Sequence, residues 1–253
     1  MLLDSQKELY RQQGFLVLPS FFTAAEVANV AREADALASL TEIVHADNLR
    51  CRWQSHRETG EPILDTLDPV SDLSPAIAGL ALSGPLRDVV SDLFGEPACL
   101  FKDKLIYKPP GALGHAPHQD YIAWPTFPKT FTTALVAIDA ADEVNGCLSV
   151  FHGHHVRGYL SPRDGDYHDL PQSLFDEGSR VELKLRPGDI AVFGCLLPHG
   201  SPPNLSARPR RHLYLSYNAL SDGGDARGKH YDEFHGWLKR RYAEYGSNQF
   251  FYR

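Results

Sequence analysis

The sequence predicts a mainly β fold with flanking helices, and three observations carry that prediction. Downstream of Cys99, short apolar runs are separated by Pro, Gly and Asp turns, the pattern of an antiparallel sandwich or jelly roll. Upstream of it, apolar residues recur at helical spacing, as at Val27, Val30, Ala31, Ala34 and Leu37. The chain has 253 residues, 43% of them hydrophobic, enough for one large domain with a sizeable core.

In chain order, residues 4–14 read as a short helix and Phe15 to Pro19 as a strand. Thr23-Ala24-Ala25-Glu26 is a capping box opening a long helix that buttresses the sheet. Residues 42–75 are polar and irregular, with Arg50, Arg52, Trp53, His56 and Arg57 close together. They read as a solvated loop or as a flap whose cations and aromatics meet a substrate. Residues 76–94 return to helix, stopped by Gly95. Strands are then expected at 100–108, through His118, and at 131–138, 147–151, 181–185, 190–193 and 212–217. A helix at 233–245 and a tail rich in aromatics close the chain. A single domain follows: a helical buttress with its loop over 1–98, the β core over 99–220, and the last helix and tail over 221–253.

Charge excludes some partners. The net charge is −7, and Arg208-Pro209-Arg210-Arg211 is the one basic run, so nucleic acid and anionic membranes are not expected as partners. No apolar run reaches membrane-spanning length. Cys51, Cys99, Cys147 and Cys195 lie far apart without metal-binding spacing, and no secretory leader is evident. A reduced, cytoplasmic protein with free thiols is expected.

The chemistry gathers in two pieces, Pro117-His118-Gln119-Asp120 and Pro198-His199-Gly200-Ser201. Two residues apart on an extended strand, His118 and Asp120 point to one face and offer a metal two adjacent ligands. His199 is the candidate third. Two histidines and one carboxylate around an open metal are the facial arrangement of non-haem Fe(II) oxygenases. Taken alone, His-x-Asp is equally a surface turn carrying a polar pair. Its company argues otherwise: Arg210, eleven residues after His199, can clamp a carboxylate bidentately.

Together with Lys104-Leu105-Ile106-Tyr107-Lys108-Pro109-Pro110-Gly111, Asn145-Gly146-Cys147-Leu148 and the Pro187-Gly188-Asp189 turn, these pieces resemble the phytanoyl-CoA dioxygenase family of Fe(II)- and 2-oxoglutarate-dependent oxygenases, which includes ectoine hydroxylase-like enzymes. The resemblance spans about residues 100–220, and the helix–strand–helix start is loosely similar. It implies a double-stranded β-helix (jelly roll, cupin-like) core, with Fe(II) held by His118, Asp120 and His199 and with 2-oxoglutarate and O2 as cosubstrates. The expected outcome is hydroxylation of a C–H bond in a small metabolite or natural-product intermediate, with release of succinate and CO2. An intact carboxylate at Asp120 argues for oxygen insertion over halogenation.

The resemblance also implies that Arg210 grips the distal carboxylate of 2-oxoglutarate, with Ser201 and Thr133 as hydroxyl partners. Lys104 and Tyr107 are further candidates, of which strand alternation lets at most one point inward. Tyr121 and Trp124, just past the metal strand, Trp53 in the irregular stretch, and Arg157 are candidate substrate contacts. The family reads Pro-Gly-Ser-His where this chain has His152-Gly153-His154-His155, a departure that is either a structural loop or a rival metal site. Many relatives carry Trp at Pro117. A cupin-type metalloenzyme without 2-oxoglutarate, or a barrel that binds a ligand without turnover, are the competing readings.

Overall fold

The computed structural model describes residues 1–246 except 83, 123 and 125. Two antiparallel sheets face one another. The larger has seven strands in the order β1-β9-β6-β11-β4-β3-β2, and the smaller has four in the order β5-β10-β7-β8. Their ranges are β1 Phe15–Leu18, β2 Cys51–Ser55, β3 Pro62–Leu67, β4 Ala98–Ile106, β5 His115–His118, β6 Thr132–Ala137, β7 Leu148–Phe151, β8 Arg180–Leu183, β9 Ile190–Gly194, β10 His199–Ser201 and β11 His212–Ala219. Neighbours in each sheet are far apart in sequence, the connectivity of a jelly roll.

Alternation divides the core into two layers. Leu105 of β4, Tyr107 just past its end, and Leu213, Leu215 and Tyr217 of β11 face outward to the helices. Ile106 and Tyr214 face inward with Leu135 of β6 and Phe193 of β9, filling the space between the sheets. Helix α1 (Asp4–Gln13) ends at Gly14, whose φ of 85° closes the turn, and α2 (Ala24–Ala38) opens on the expected capping box. α2 buries Val27, Val30, Ala34 and Leu37 on the outer face of the large sheet.

The structure revises two expectations about the amino-terminal half. Residues 76–94 are two helices, α3 (Pro75–Leu82) and α4 (Pro85–Phe94), because Gly84 takes a φ of 75° and Pro85 starts a new first turn. Within 42–75, β2 and β3 form a hairpin that extends the large sheet, with Thr66 opposite Ile106 and Leu67 opposite Leu105. The strand signal was hidden because inward positions carry polar residues: Arg52, Gln54 and Asp65 are all buried. Buried polar groups find partners inside, and here Gln54 donates to Asp65 at 2.6 Å.

The last helix, α5 (Arg227–Tyr245), starts earlier than predicted and buries His230, Tyr231, Phe234, Trp237 and Leu238 along one stripe. The aromatic residues after Gly246 lie outside the described residues. Arg227 binds Asp103 of β4 at 2.7 Å, and the Tyr231 hydroxyl donates to Asp68 at 3.0 Å, so α5 is bolted to the open end of the jelly roll. Burial pushes His230 down to about 3 from an ordinary value of 6.5, with Lys102 adding to it. The unfolded chain therefore binds a proton below 6.5 that the folded chain refuses. Folding stability should fall with decreasing pH through that window, by at most about 1.4 kcal/mol per pH unit for this group. Urea unfolding midpoints at pH 7 and 5, in wild type and His230→Phe, test it: the variant should be less sensitive to acid.

All four cysteines are free, and Cys51, Cys147 and Cys195 are buried. Among the described residues no helix is long and apolar enough to cross a membrane.

Candidate metal centre and its cavity

Strands β5 and β10 pair so that His118 and His199 stand directly opposite. Directly opposed residues of an antiparallel pair have their side chains closest, and the two imidazole centroids are 4.4 Å apart. Asp120 lies just past the end of β5, and its carboxylate turns back toward both rings. Asp120 Oδ1 is 3.9 Å from His118 Nε2 and 3.8 Å from His199 Nε2. The three ligand atoms lie within 4.8 Å of one another, and this is the only group of three or more His, Cys, Asp or Glu among the described residues that could hold a metal ion.

The surroundings prepare each ligand. His118 Nδ1 bonds the Ala116 carbonyl at 2.8 Å and His199 Nδ1 the Leu197 carbonyl at 3.0 Å. Each Nδ1–H is thereby committed to a backbone oxygen, which leaves both Nε2 lone pairs facing the metal position. Burial holds the His118 imidazole down to about 3 and lowers His199 as well, so both are neutral donors. Burial opposes the charge on Asp120, but the positive surroundings of the site, the Lys104 ammonium among them, outweigh it and hold the carboxylate below its ordinary value. Gln119, between the ligands, ties the turn in place: its amide donates to Leu196 O at 2.7 Å and Gly158 O at 2.9 Å.

Thr133, expected at the cosubstrate, is instead turned to the ligand carboxylate. Its hydroxyl donates to Asp120 Oδ2 at 3.3 Å and bonds Ser216 at 2.9 Å. That fixes which oxygen faces the histidines. Thr133→Val should weaken metal affinity about 10- to 100-fold while leaving the fold intact, measured by competition with a chromophoric chelator.

The centre opens into a cavity of about 150 Å³. Ser201 lines one end of it. There Lys108 donates to Ser201 Oγ at 2.7 Å, and Arg210 joins it, backbone to backbone, at 3.2 Å. Arg210 is 1% exposed and Lys108 fully buried. The Arg210 guanidinium donates to His212 Nδ1 at 2.8 Å, and its Nε has no hydrogen-bond partner. Among the described residues no Asp or Glu pairs with either cation, and burial together with the neighbouring guanidinium pulls the Lys108 ammonium well below its usual value. Two buried cations without an anion are costly unless a ligand supplies one.

Several expected contacts go elsewhere. Tyr107 points through the sheet, its hydroxyl donating to Ala34 O of α2 at 2.9 Å, because alternation sends it opposite to Lys104 and Ile106. Lys104 lines the cavity, above the Tyr214 ring. Trp53 packs on the outer core, and its neighbour Arg52 faces the cavity. Tyr121 packs edge-on against Phe127 and Tyr159, and Ile122 lines the cavity in its place. Trp124 donates to Gly165 O at 2.7 Å and meets Trp237 at 6.0 Å, away from the metal end. Arg157 is spent on Leu174 O at 2.8 Å. In the histidine cluster, His154 turns to Asp176 and His155 bonds Arg11 O at 2.9 Å, so the three do not converge. Arg208 pairs with Asp142, and Arg211 with Asp139 and Asp35.

The reading of the sequence missed Lys108, Lys102, Asp68, Tyr167, Phe234 and Trp237. A signal existed for Lys102: residues 102, 104 and 106 share the inward face of β4. Tyr167 sits in a loop, 5.3 Å ring to ring from His118, and Phe234 and Trp237 come from a distant helix.

The sequence model described as Phytanoyl-CoA dioxygenase (PhyH) matches residues 10–212. The chain is 35% identical over 234 residues to a methylphosphonate hydroxylase of Gimesia maris, covering 91% of this chain and 85% of that protein. It is 32% identical over 226 residues to a 2-aminoethylphosphonate dioxygenase of an uncultured bacterium, covering 87% of this chain and 83% of that protein. Its fold is similar to EctD from S. alaskensis, solved with 2-oxoglutarate and 5-hydroxyectoine, at a TM-score of 0.73 and 26% identity, covering 88% of this chain and 80% of that one. The chain belongs to the phytanoyl-CoA dioxygenase family and is an iron- and 2-oxoglutarate-dependent dioxygenase.

Proposed function

We propose that this protein hydroxylates a C–H bond of a compact, polar small molecule bound between the metal centre and the α5 end of the cavity. The observation that carries the reading is the set of ligand atoms within 4.8 Å of one another, opening on a cavity whose Ser201 wall is backed by the buried Lys108 and, next to it, Arg210. His118, Asp120 and His199 would hold Fe(II) on one face and leave the other face to cosubstrate and O2. Arg210, with Ser201 and Lys108, would anchor the distal carboxylate of 2-oxoglutarate and so aim its keto acid end at the metal. When bound, iron and 2-oxoglutarate together supply the oxidising power, drawn from O2 with release of succinate and CO2.

The chain's own part is orientation and exclusion of water. Ile106, Leu148 and Ile122 present apolar walls beside the centre, and Tyr167 covers His118 from the solvent side. A small substrate is favoured by room for on the order of ten waters, at roughly 10–15 Å³ each, much of which 2-oxoglutarate would fill. The absence of an extended basic patch disfavours a CoA thioester. The test is succinate formation from 2-oxoglutarate with Fe(II) and ascorbate under air, with and without a chelator. Slow, chelator-sensitive turnover is expected without substrate. Failure to bind or consume 2-oxoglutarate would overturn the reading.

A further inference from the structure

The far end of the cavity carries a second group of cations, distinct from the pair that would hold 2-oxoglutarate. Lys102 and Lys104 share the inward face of β4 with Ile106. Lys102 lies four residues, roughly 13 Å along an extended strand, before the end of β4 at Ile106, and Lys108 lies past that end. A short keto diacid anchored at Lys108 and Arg210 and reaching the metal cannot also occupy Lys102. Arg52, from the neighbouring hairpin, joins Lys102 on the same side.

These cations are held in place. The Phe234 ring of α5 lies 4.1 Å from Lys102 Nζ and 4.9 Å from Arg52 Cζ. One carboxylate oxygen, Asp68 Oδ2, faces both, at 3.2 Å from Lys102 and 3.7 Å from Arg52. The other oxygen accepts from Tyr231 at 3.0 Å. Of the remaining acids in the wall, Asp120 is committed to the metal, and Asp65 is turned to Gln54, Thr66 and His115. The wall thus carries three cations, Arg52, Lys102 and Lys104, with Asp68 Oδ2 shared between the first two, an excess of positive charge that suits an anionic ligand.

Resting on the reading of the site as an iron- and 2-oxoglutarate-dependent hydroxylase, the geometry points to a dianion subsite formed by Arg52, Lys102 and Lys104, which takes the phosphonate group of a short organophosphonate and turns its adjacent carbon to the metal. Tetrahedral oxyanions accept several charge-assisted hydrogen bonds at once, and two lysines with one arginine supply them from two strands. The two phosphonate-acting relatives act on substrates of this class by name. Phe234 and Trp237 close the subsite from α5, which lies past the residues 10–212 that the family model matches. They set how long a substrate fits.

The test compares methylphosphonate with methanesulfonate, a monoanion of nearly the same shape. Each is titrated calorimetrically, without O2, into protein loaded with iron and 2-oxoglutarate, in mildly alkaline buffer where the phosphonate is doubly charged. Wild type should prefer methylphosphonate by at least about tenfold. Lys102→Met and Lys104→Met should each lose most of that preference, and Lys102→Arg should keep it. Equal affinity for the two anions, or binding of neither by protein that has taken up 2-oxoglutarate, overturns the subsite. Protein that fails to take up 2-oxoglutarate overturns the underlying reading instead.

Discussion

Replacing Asp120 with Ala will lower 2-oxoglutarate consumption to the level of a metal-free blank. The two imidazoles alone offer neutral nitrogens to a divalent ion in a buried place. The carboxylate supplies the charge that makes holding it favourable there. Its geometry is set twice over, by Thr133 on one oxygen and by Gln119 locking the turn behind it. Among the described residues no other acid of the cavity wall stands ready to substitute: Asp65 and Asp68 line the cavity but have partners of their own. Wild type should gain thermal stability on adding Fe(II) or Mn(II), since binding only the folded state raises its melting temperature. In Asp120→Ala that gain should vanish together with turnover. Turnover that persists in the variant would mean that the metal is bound elsewhere.

Arg210→Met will raise the KM for 2-oxoglutarate on the order of a hundredfold or more, the consequence of losing about 2–5 kcal/mol when one partner of a buried charge pair is truncated. Its effect on the cosubstrate-free protein should have the opposite sign from that of an ordinary buried salt bridge. Arg210 has no carboxylate partner among the described residues, and its charge depresses both Lys108 and His212. Removing it relieves that repulsion, so the melting temperature should hold or rise. A structural arginine would behave the other way, as Arg211 should: its bonds to Asp139 and Asp35 tie β11 to α2, and Arg211→Met should destabilise the fold without touching the KM. An unchanged KM in Arg210→Met would remove it from the cosubstrate site.

How much of this was legible in the sequence depended on whether a residue's role is local. The capping box at Thr23, the strand over 212–217 and the metal pieces are written in neighbouring residues, and all of these are legible in the sequence. The β2–β3 hairpin was not, because its inward positions hold Arg52, Gln54 and Asp65, which read as solvated until their partners are known. Tyr121 and Trp124 stand next to the metal strand in the chain and so read as substrate contacts. Chain proximity is a poor guide after a turn, and both rings went to the aromatic cluster with Phe127 and Trp237.

By itself the sequence determined the reaction chemistry: two imidazoles, one carboxylate and one arginine at spacings that strands and turns convert into a metal site. The alternation of β4 was also there to be read, placing lysines on one face and Tyr107 on the other. Only the tertiary structure decided what lines the rest of the cavity. Arg52 from a hairpin, Tyr167 from a loop and Phe234 from the last helix meet around the metal because packing, and no periodicity in the chain, brings them there. Specificity is built from such long-range convergence, and so it emerges only once the chain is folded.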